Sequence, residues 1–205
     1  MITFDHIAIS GETLTEAQAF VEESLGVALQ PGGEHAVFHT HNALLGLENG
    51  LYLEAIAINP SAPAPDRPRW FDLDRFSGRP RLTNWICRTK SLKASLAEVP
   101  MDLGQPVALE RGDLRWQMAV PGDGRLPYDN CAPALIQWET ATHPAARLAD
   151  RGVGLRRLTV QHPDVRSLKD ALGPKLNDER IAFEIGTPGL HAEFTTPHGV
   201  RDIGT

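Results

Sequence analysis

The chain has 205 residues, 41% of them hydrophobic, and a net charge of -6 at neutral pH. That length can bury one sizeable core or two small modules, and the composition excludes a disordered chain. Lys and Arg are scattered, with Arg79-Pro80-Arg81 and Arg156-Arg157 as the longest clusters, which argues against a nucleic-acid partner.

No apolar run reaches the ~18 residues of a membrane span, so no membrane partner is expected. The N-terminus enters a strand directly, without a charged or long apolar leader, and the expected location is cytoplasmic. The two cysteines, Cys87 and Cys131, form neither a C-x-x-C pair nor a disulfide framework.

In chain order, residues 2–10 predict a strand, with Ile7 and Ile9 on one face and Phe4, His6 and Ala8 on the other. Thr13 with Glu16 predicts a capping box opening a helix whose apolar stripe is Leu14, Ala17, Phe20, Val21 and Leu25. Gly26 closes it in the left-handed region. Val27 to Gln30 reads as a short strand broken by Pro31-Gly32-Gly33. Strands follow at 42–47 and 51–58, joined by a Glu48-Asn49-Gly50 turn. Residues 59–80 are a Pro-, Asp- and Arg-rich connector.

The order then recurs. A strand at 82–88 precedes a helix at 91–99, strands at 106–110 and 114–120, a Pro121-Gly122-Asp123-Gly124 turn, and a strand at 134–138. Two β-α-β-β-β units about 80 residues apart make a stronger fold signal than any single element. A third unit has a strand at 154–161, a helix at 165–172 and strands at 181–185 and 190–195. The expected class is α+β: one domain over 1–205, with modules at 1–58 and 82–140 and a C-terminal β-α-β-β unit at 154–205.

Chemistry concentrates in the first module. Gly32 to Asn42 holds His35, His39 and His41, three of the eight histidines. His6 and Glu54 are isolated polar residues in apolar strands. A buried carboxylate without a partner costs several kcal/mol, so Glu54 requires a metal, His6, His35 or a proton. A histidine and a glutamate on two strands of one sheet can share a metal ion or a ligand. His35 follows a Gly-Gly turn that permits close approach of a ligand. Thr40 and Asn42 read as supports, Asn42 satisfying loop backbone groups. Trp85, Trp116 and Trp138 read as core or wall. His39 and His41 read as edge residues, and His143, His162, His191 and His198 are given no chemistry. No nucleophile elbow, P-loop or dinucleotide fingerprint is present.

These features together resemble the glyoxalase-like branch of the vicinal oxygen chelate superfamily. The resemblance rests on Asp5-His6, the Gly-Gly-x-His-x-x-x-x-Thr-x-Asn run at 32–42, and Tyr52-Leu53-Glu54. It extends to Leu114-Arg115-Trp116, Leu135-Ile136-Gln137-Trp138 with His143-Pro144, and Thr195-Thr196-Pro197-His198-Gly199. It implies paired modules forming an open cup, each supplying metal ligands from its first and last strands. His6 and Glu54 match the first pair; Trp85 and Gln137 take the equivalent places in the second. A tryptophan is no ligand and a glutamine is a weak one, so the resemblance implies either a divalent ion (Zn, Mn, Ni or Mg) held incompletely by the protein or none.

The implied function is an enzyme acting on an oxygen-bearing small molecule by proton abstraction next to a carbonyl, of lyase or isomerase type. Glu54 would be base or metal ligand, His6 and His35 would orient it or the substrate, and Thr40, Asn42, Trp85, Trp116 and Gln137 would line the ligand. The alternative is a non-catalytic protein that sequesters a small molecule in the same cup. A homodimer is compatible with either reading.

Overall fold

The computed structural model describes all residues from Met1 to Thr205. The first module contributes β1 (Ile2–Ser10), α1 (Leu14–Leu25), β2 (Gln30–His35), β3 (Thr40–Leu47) and β4 (Leu51–Ile58). The second contributes β5 (Arg81–Thr89), α2 (Leu92–Glu98), β6 (Gln105–Arg111), β7 (Leu114–Val120) and β8 (Ala134–Trp138). Together they form one eight-stranded sheet in the order β2-β3-β4-β1-β5-β8-β7-β6. The order is symmetric about the antiparallel β1–β5 seam, and in each half the first strand runs parallel to the last. This is the α+β architecture of paired modules, curled into a cup.

Local chemistry explains the elements. The Thr13 side chain accepts from the Glu16 N–H while Glu16 reaches back to the cap, and Gly26 ends α1 at φ 73°. Asn49 and Gly50 turn the chain at φ 62° and 69°, as the β3–β4 hairpin requires. The strand expected at 27–30 instead begins at Gln30 and runs through Pro31-Gly32-Gly33, with a register shift between Pro31 and Gly33. Edge strands accept proline and a bulge, so these residues bend β2 rather than end it.

The third unit holds β9 (Gly154–Gln161), α3 (Val165–Leu172), β10 (Ile181–Glu184), β11 (Gly189–Thr196) and β12 (Gly199–Gly204). Its last strand extends the reading made from the sequence. The sheet order is β10-β9-β11-β12, so this unit does not repeat the module topology. It packs on the outer face of the cup, against α1 and β5. There Trp85 sits between Phe4 and Phe183, with ring centroids 6.4 Å from each. Of all helices, none is long and apolar enough to cross a membrane.

Candidate active site

The cup's polar centre begins with a bulge. On β1, Phe4 pairs with Cys87 and His6 with Ile86, leaving Asp5 unpaired between them. An extra residue of this kind places two neighbours on one face. Asp5 and His6 therefore both enter the cup, while Phe4 and Ile7 face outward. His6 Nδ1 donates to Asp5 Oδ1 at 2.7 Å, which leaves Nε2 as the acceptor. That atom lies 3.4 Å from the Tyr52 hydroxyl and 3.7 Å from Glu54 Oε2. Tyr52 also stacks on the His6 ring, centroid to centroid 4.2 Å.

Asp5 is wholly buried and is the hub of this network. Its Oδ2 accepts from His143 Nε2 at 3.0 Å, Trp138 Nε1 at 3.2 Å and Arg88 Nη1 at 3.4 Å. Burial pushes its carboxyl up, but the hydrogen bonds with His143 and His6 outweigh burial and hold it well below the usual carboxylate range. Tyr52 goes the other way. Burial, then the nearby Asp5 and Glu54 charges, raise its phenol well above its ordinary value, so the hydroxyl keeps its proton.

Glu54 lies two residues beyond Tyr52 on β4, on the same face. Its Oε1 accepts from Asn42 Nδ2 at 2.5 Å. The orientation of Asn42 is fixed, because its Oδ1 accepts from the Gly33 N–H at 2.9 Å and from Arg111 Nη1 at 3.0 Å. The Gly-Gly pair serves this contact. A Cβ on Gly32 would lie 1.9 Å from Asn42 Oδ1, and one on Gly33 would lie 2.7 Å from Arg111 Cδ. The close approach expected there is made by Asn42 and Arg111. Arg111 belongs to β6 of the second module and closes the cup across its open edge.

His35 completes the group. Its Nδ1 lies 2.9 Å from Thr40 Oγ1, and its Nε2 lies 3.4 Å from Arg111 Nη1 and 3.9 Å from Glu54 Oε1. Burial, then the charges of Arg111, His41 and His6, lower its pKa to about 3, so the ring is neutral. Trp70 and Trp116 present their faces or edges to it at 5.0 and 6.2 Å. Thr40 and Asn42 thus hold His35 and Glu54 in place, and Trp116 is a wall of the cup.

Two residues expected to line the cup do not. Trp85 points outward and donates to the Cys131 carbonyl at 2.8 Å. Gln137 also points outward, its Oε1 accepting from the Leu92 N–H at 2.7 Å at the start of α2. Side chains alternate along a strand, so Trp85, one residue from the inward Asn84, and Gln137, three residues from the inward Ala134, both fall on the other face. The inward positions of β5 and β8 are Asn84, Ile86, Arg88, Ala134, Ile136 and Trp138; none is a histidine or a carboxylate. No group of three or more His, Cys, Asp or Glu residues converges to hold an ion. His6 and Glu54 alone do not fit the divalent ion that the resemblance implies.

Sequence reasoning also missed residues. Asp5 carried a signal, since two consecutive polar residues in an alternating strand indicate a bulge. His143 stands against Asp5 although it follows a loop. Arg111 carried no local signal, because its role depends on the cup closing.

A cavity of about 990 Å³ opens at the β3–β4 turn end of the cup. Arg88, Trp138 and His143 line it, and each also reaches Asp5, so they connect it with the interior network. The opposite end is filled by Trp70, which stacks on Phe38 at 4.4 Å and on Phe71 at 5.2 Å.

A glyoxalase-like domain profile matches residues 4–176. Among solved structures, a hypothetical protein from Staphylococcus aureus is similar at TM-score 0.62 and 18% identity, over 91% of this chain and 86% of that one. The Mn(II)-bound glyoxalase from Novosphingobium aromaticivorans is similar at TM-score 0.50 and 15% identity, over 97% of this chain and 80% of that one. Methylmalonyl-CoA epimerase from Mycobacterium tuberculosis gives a partial likeness, with TM-score 0.42 and 20% identity over 70% of this chain and 91% of that one. No curated protein matches the chain in sequence. With the profile spanning most of its length and the paired modules in place, the chain belongs to the glyoxalase-like domain family of the vicinal oxygen chelate superfamily.

Proposed function

We propose that the cup catalyses proton transfer at a carbon next to a carbonyl group of a small, oxygen-bearing organic metabolite, in a reaction of isomerase or lyase type. One observation carries this reading: His6, held by Asp5, faces Glu54, held by Asn42, with Nε2 and Oε2 3.7 Å apart in a buried site. Glu54 Oε2 has a lone pair free of Asn42 and takes the C–H proton. The C–H electron pair moves onto the carbonyl oxygen as an enolate. The proton passes to His6 Nε2, and the resulting imidazolium is paired with the Asp5 carboxylate. Return of a proton from His6 to the enolate restores both groups. His35 stays neutral and positions rather than titrates. No step is assigned to a metal, because the donors do not fit one.

The test is solvent exchange. Hydroxyacetone, dihydroxyacetone and methylglyoxal are incubated with the protein in D2O, and loss of the C–H signal next to the carbonyl is followed by proton NMR. The native protein is expected to accelerate exchange on a hydroxyketone, and Glu54→Gln to lower that rate by about 10²–10⁴-fold with the fold intact by circular dichroism. Exchange unaltered in Glu54→Gln would remove Glu54 as the base.

The second reading is ligand sequestration, favoured by the size of the 990 Å³ cavity and the tryptophan that lines it. In that case ligands bind at the mouth, no exchange is catalysed, and Glu54→Gln leaves affinity unchanged.

A further inference from the structure

The cavity of about 990 Å³ at the cup's mouth has a polar corner and an apolar wall. At the corner, Asp5 Oδ2 gathers three side chains, and two of them have no donor left for a ligand. Trp138 spends its one N–H on Asp5. His143 donates from Nε2 to Asp5, and its Nδ1 accepts from the Ala145 N–H at 3.3 Å. Arg88 differs. Its one hydrogen bond, from Nη1 to Asp5 at 3.4 Å, leaves the other guanidinium N–H groups free, and its side chain is 35% exposed. Lys90, two residues on and exposed, lines the same cavity. Leu47, Ala94, Trp138, Ala145, Ala146 and Leu148 form the apolar wall, and its alanines keep it recessed. Carboxylates also line the cavity, each on another element. Glu48 lies on the β3–β4 turn, with its Oε2 against Gly154, where a Cβ would be 2.5 Å away. Asp150 Oδ1 accepts from the Gly152 N–H at 2.8 Å. Glu98 is the last residue of α2, about 9 Å along the helix from Leu92.

We propose that this cavity binds a monoanionic carboxylic acid with an apolar body, its carboxylate on Arg88 and Lys90 and its body along Trp138 and the alanines. Arg88 then bridges two carboxylates, the buried Asp5 and the ligand's. Charge-assisted hydrogen bonds of this kind are roughly twice as strong as neutral ones. Lys90 adds a mobile point charge rather than a fixed geometry. Cavities of roughly 300–1,000 Å³ take drug-sized molecules, mostly by apolar contact, with a few polar groups that set orientation. The alanine-lined wall supplies that contact here, and the two cations supply the orientation. Polyanions fit poorly, because Glu48, Asp150 and Glu98 would face every anionic group beyond the first. A neutral molecule would gain the wall and forgo the charged corner. The inference goes beyond the proposed reaction, since it gives the class of molecule received at the mouth whether the cup converts that molecule or only holds it.

The experiment reads binding by calorimetric titration of the full chain. The probes are 3-phenylpropionate, its uncharged amide 3-phenylpropanamide, propionate, which lacks the aryl body, and inorganic diphosphate. The native protein is expected to bind 3-phenylpropionate saturably and the amide about 10-fold more weakly, the loss of a charge-assisted contact. Propionate and diphosphate should bind more weakly still. Added salt should weaken the acid and leave the amide unchanged. Lys90→Gln changes an exposed side chain with no part in the fold's interior. It should weaken the acid about 3-fold and leave the amide alone, as expected of an exposed ion pair. Arg88→Gln should weaken the acid about 10-fold or more. Ala94→Phe, which fills the wall, should weaken acid and amide together. In the native protein alone, the absence of saturable binding by the acid overturns the proposal. So does equal affinity for acid and amide, or tighter binding of diphosphate, whether or not Arg88→Gln folds. An acid affinity unchanged in Lys90→Gln and Arg88→Gln together with Ala94→Phe overturns it as well. Deuterium exchange plays no part in these readings, so failure of the proposed reaction would leave this inference standing, and failure here would leave the reaction standing.

Discussion

The two modules have the same strand order and opposite contents. In the first, the inward positions of β1, β3 and β4 carry Asp5, His6, Asn42, Tyr52 and Glu54, joined by hydrogen bonds and ion-pair contacts. In the second, the corresponding positions of β5, β7 and β8 carry an asparagine, isoleucines, an alanine, a methionine and two tryptophans, with Arg88 turned toward Asp5. The second module contributes instead across the seams: Arg111 fixes Asn42 from one side, and Trp138 fixes Asp5 from the other. A duplicated fold needs both halves to make a cup, but here the buried polar network gathers in one half.

The largest expected effect restores the symmetry. Ala134 stands across Ile86 from His6 as Asn84 stands across Ala8 from Glu54. The double variant Asn84→His with Ala134→Glu should therefore complete a four-donor site. It is expected to bind Mn(II) or Zn(II) at micromolar Kd, about 8 kcal/mol of binding. The native chain should retain no stoichiometric ion. Placing His at 85 and Glu at 137 should create no site, because both positions face outward. Calorimetric titration with elemental analysis compares all three proteins.

Asp5→Asn follows in size. It keeps the shape but replaces one acceptor oxygen by an NH2 donor and removes the charge, so the donors that converge on both Asp5 oxygens cannot all be satisfied, and it should cost about 3 kcal/mol in urea unfolding. It also removes the charge that supports a protonated His6, so exchange should fall together with stability. The native carboxyl is held well below the usual range, so its contribution is present above the unfolded-chain value near 4. It is lost as pH falls below that value toward the folded one.

His35 gives a smaller, pH-dependent effect. Burial, aided by Arg111, lowers it from 6.5 to about 3, so the unfolded chain binds a proton that the fold refuses. Stability from this group is complete above pH 6.5 and declines between there and about 3. His35→Gln should flatten that decline by as much as about 1.4 kcal/mol per pH unit, read from urea midpoints at pH 7, 6 and 5.

Gln137→Ala should show the smallest effect. It removes the acceptor for the Leu92 N–H and should cost about 0.5–1 kcal/mol, with hydroxyacetone exchange unchanged. A large loss of exchange in this variant would return the second module to the site.

Much of this was legible in the chain. The hydrophobic alternation, the Thr13 capping box and the Asn49-Gly50 turn locate most elements, because local chemistry determines them. His6 and Glu54 are recognisable as isolated polar residues in apolar strands, Glu54 as one that requires a partner, and His35 by the Gly-Gly pair before it. What the chain did not reveal depended on register. The Asp5 bulge reverses the alternation in β1, and the inward face of β5 is set by pairing with β1 rather than by its own pattern. The alternation read along the strand alone therefore puts Trp85 on the face that Asn84 occupies, and Gln137 on that of Ala134. Arg111 reaches Asn42 over 69 residues of sequence, and no local pattern announces such a contact.

The central claim is that the proton chemistry belongs to the first module's Asp5–His6–Glu54 group. It is tested most directly by the rate of deuterium entry into hydroxyacetone, measured side by side for the native protein, Glu54→Gln and Gln137→Ala. Exchange is expected in the native protein and in Gln137→Ala, and its collapse in Glu54→Gln. Equal rates in all three proteins, or a collapse in Gln137→Ala alone, would contradict it.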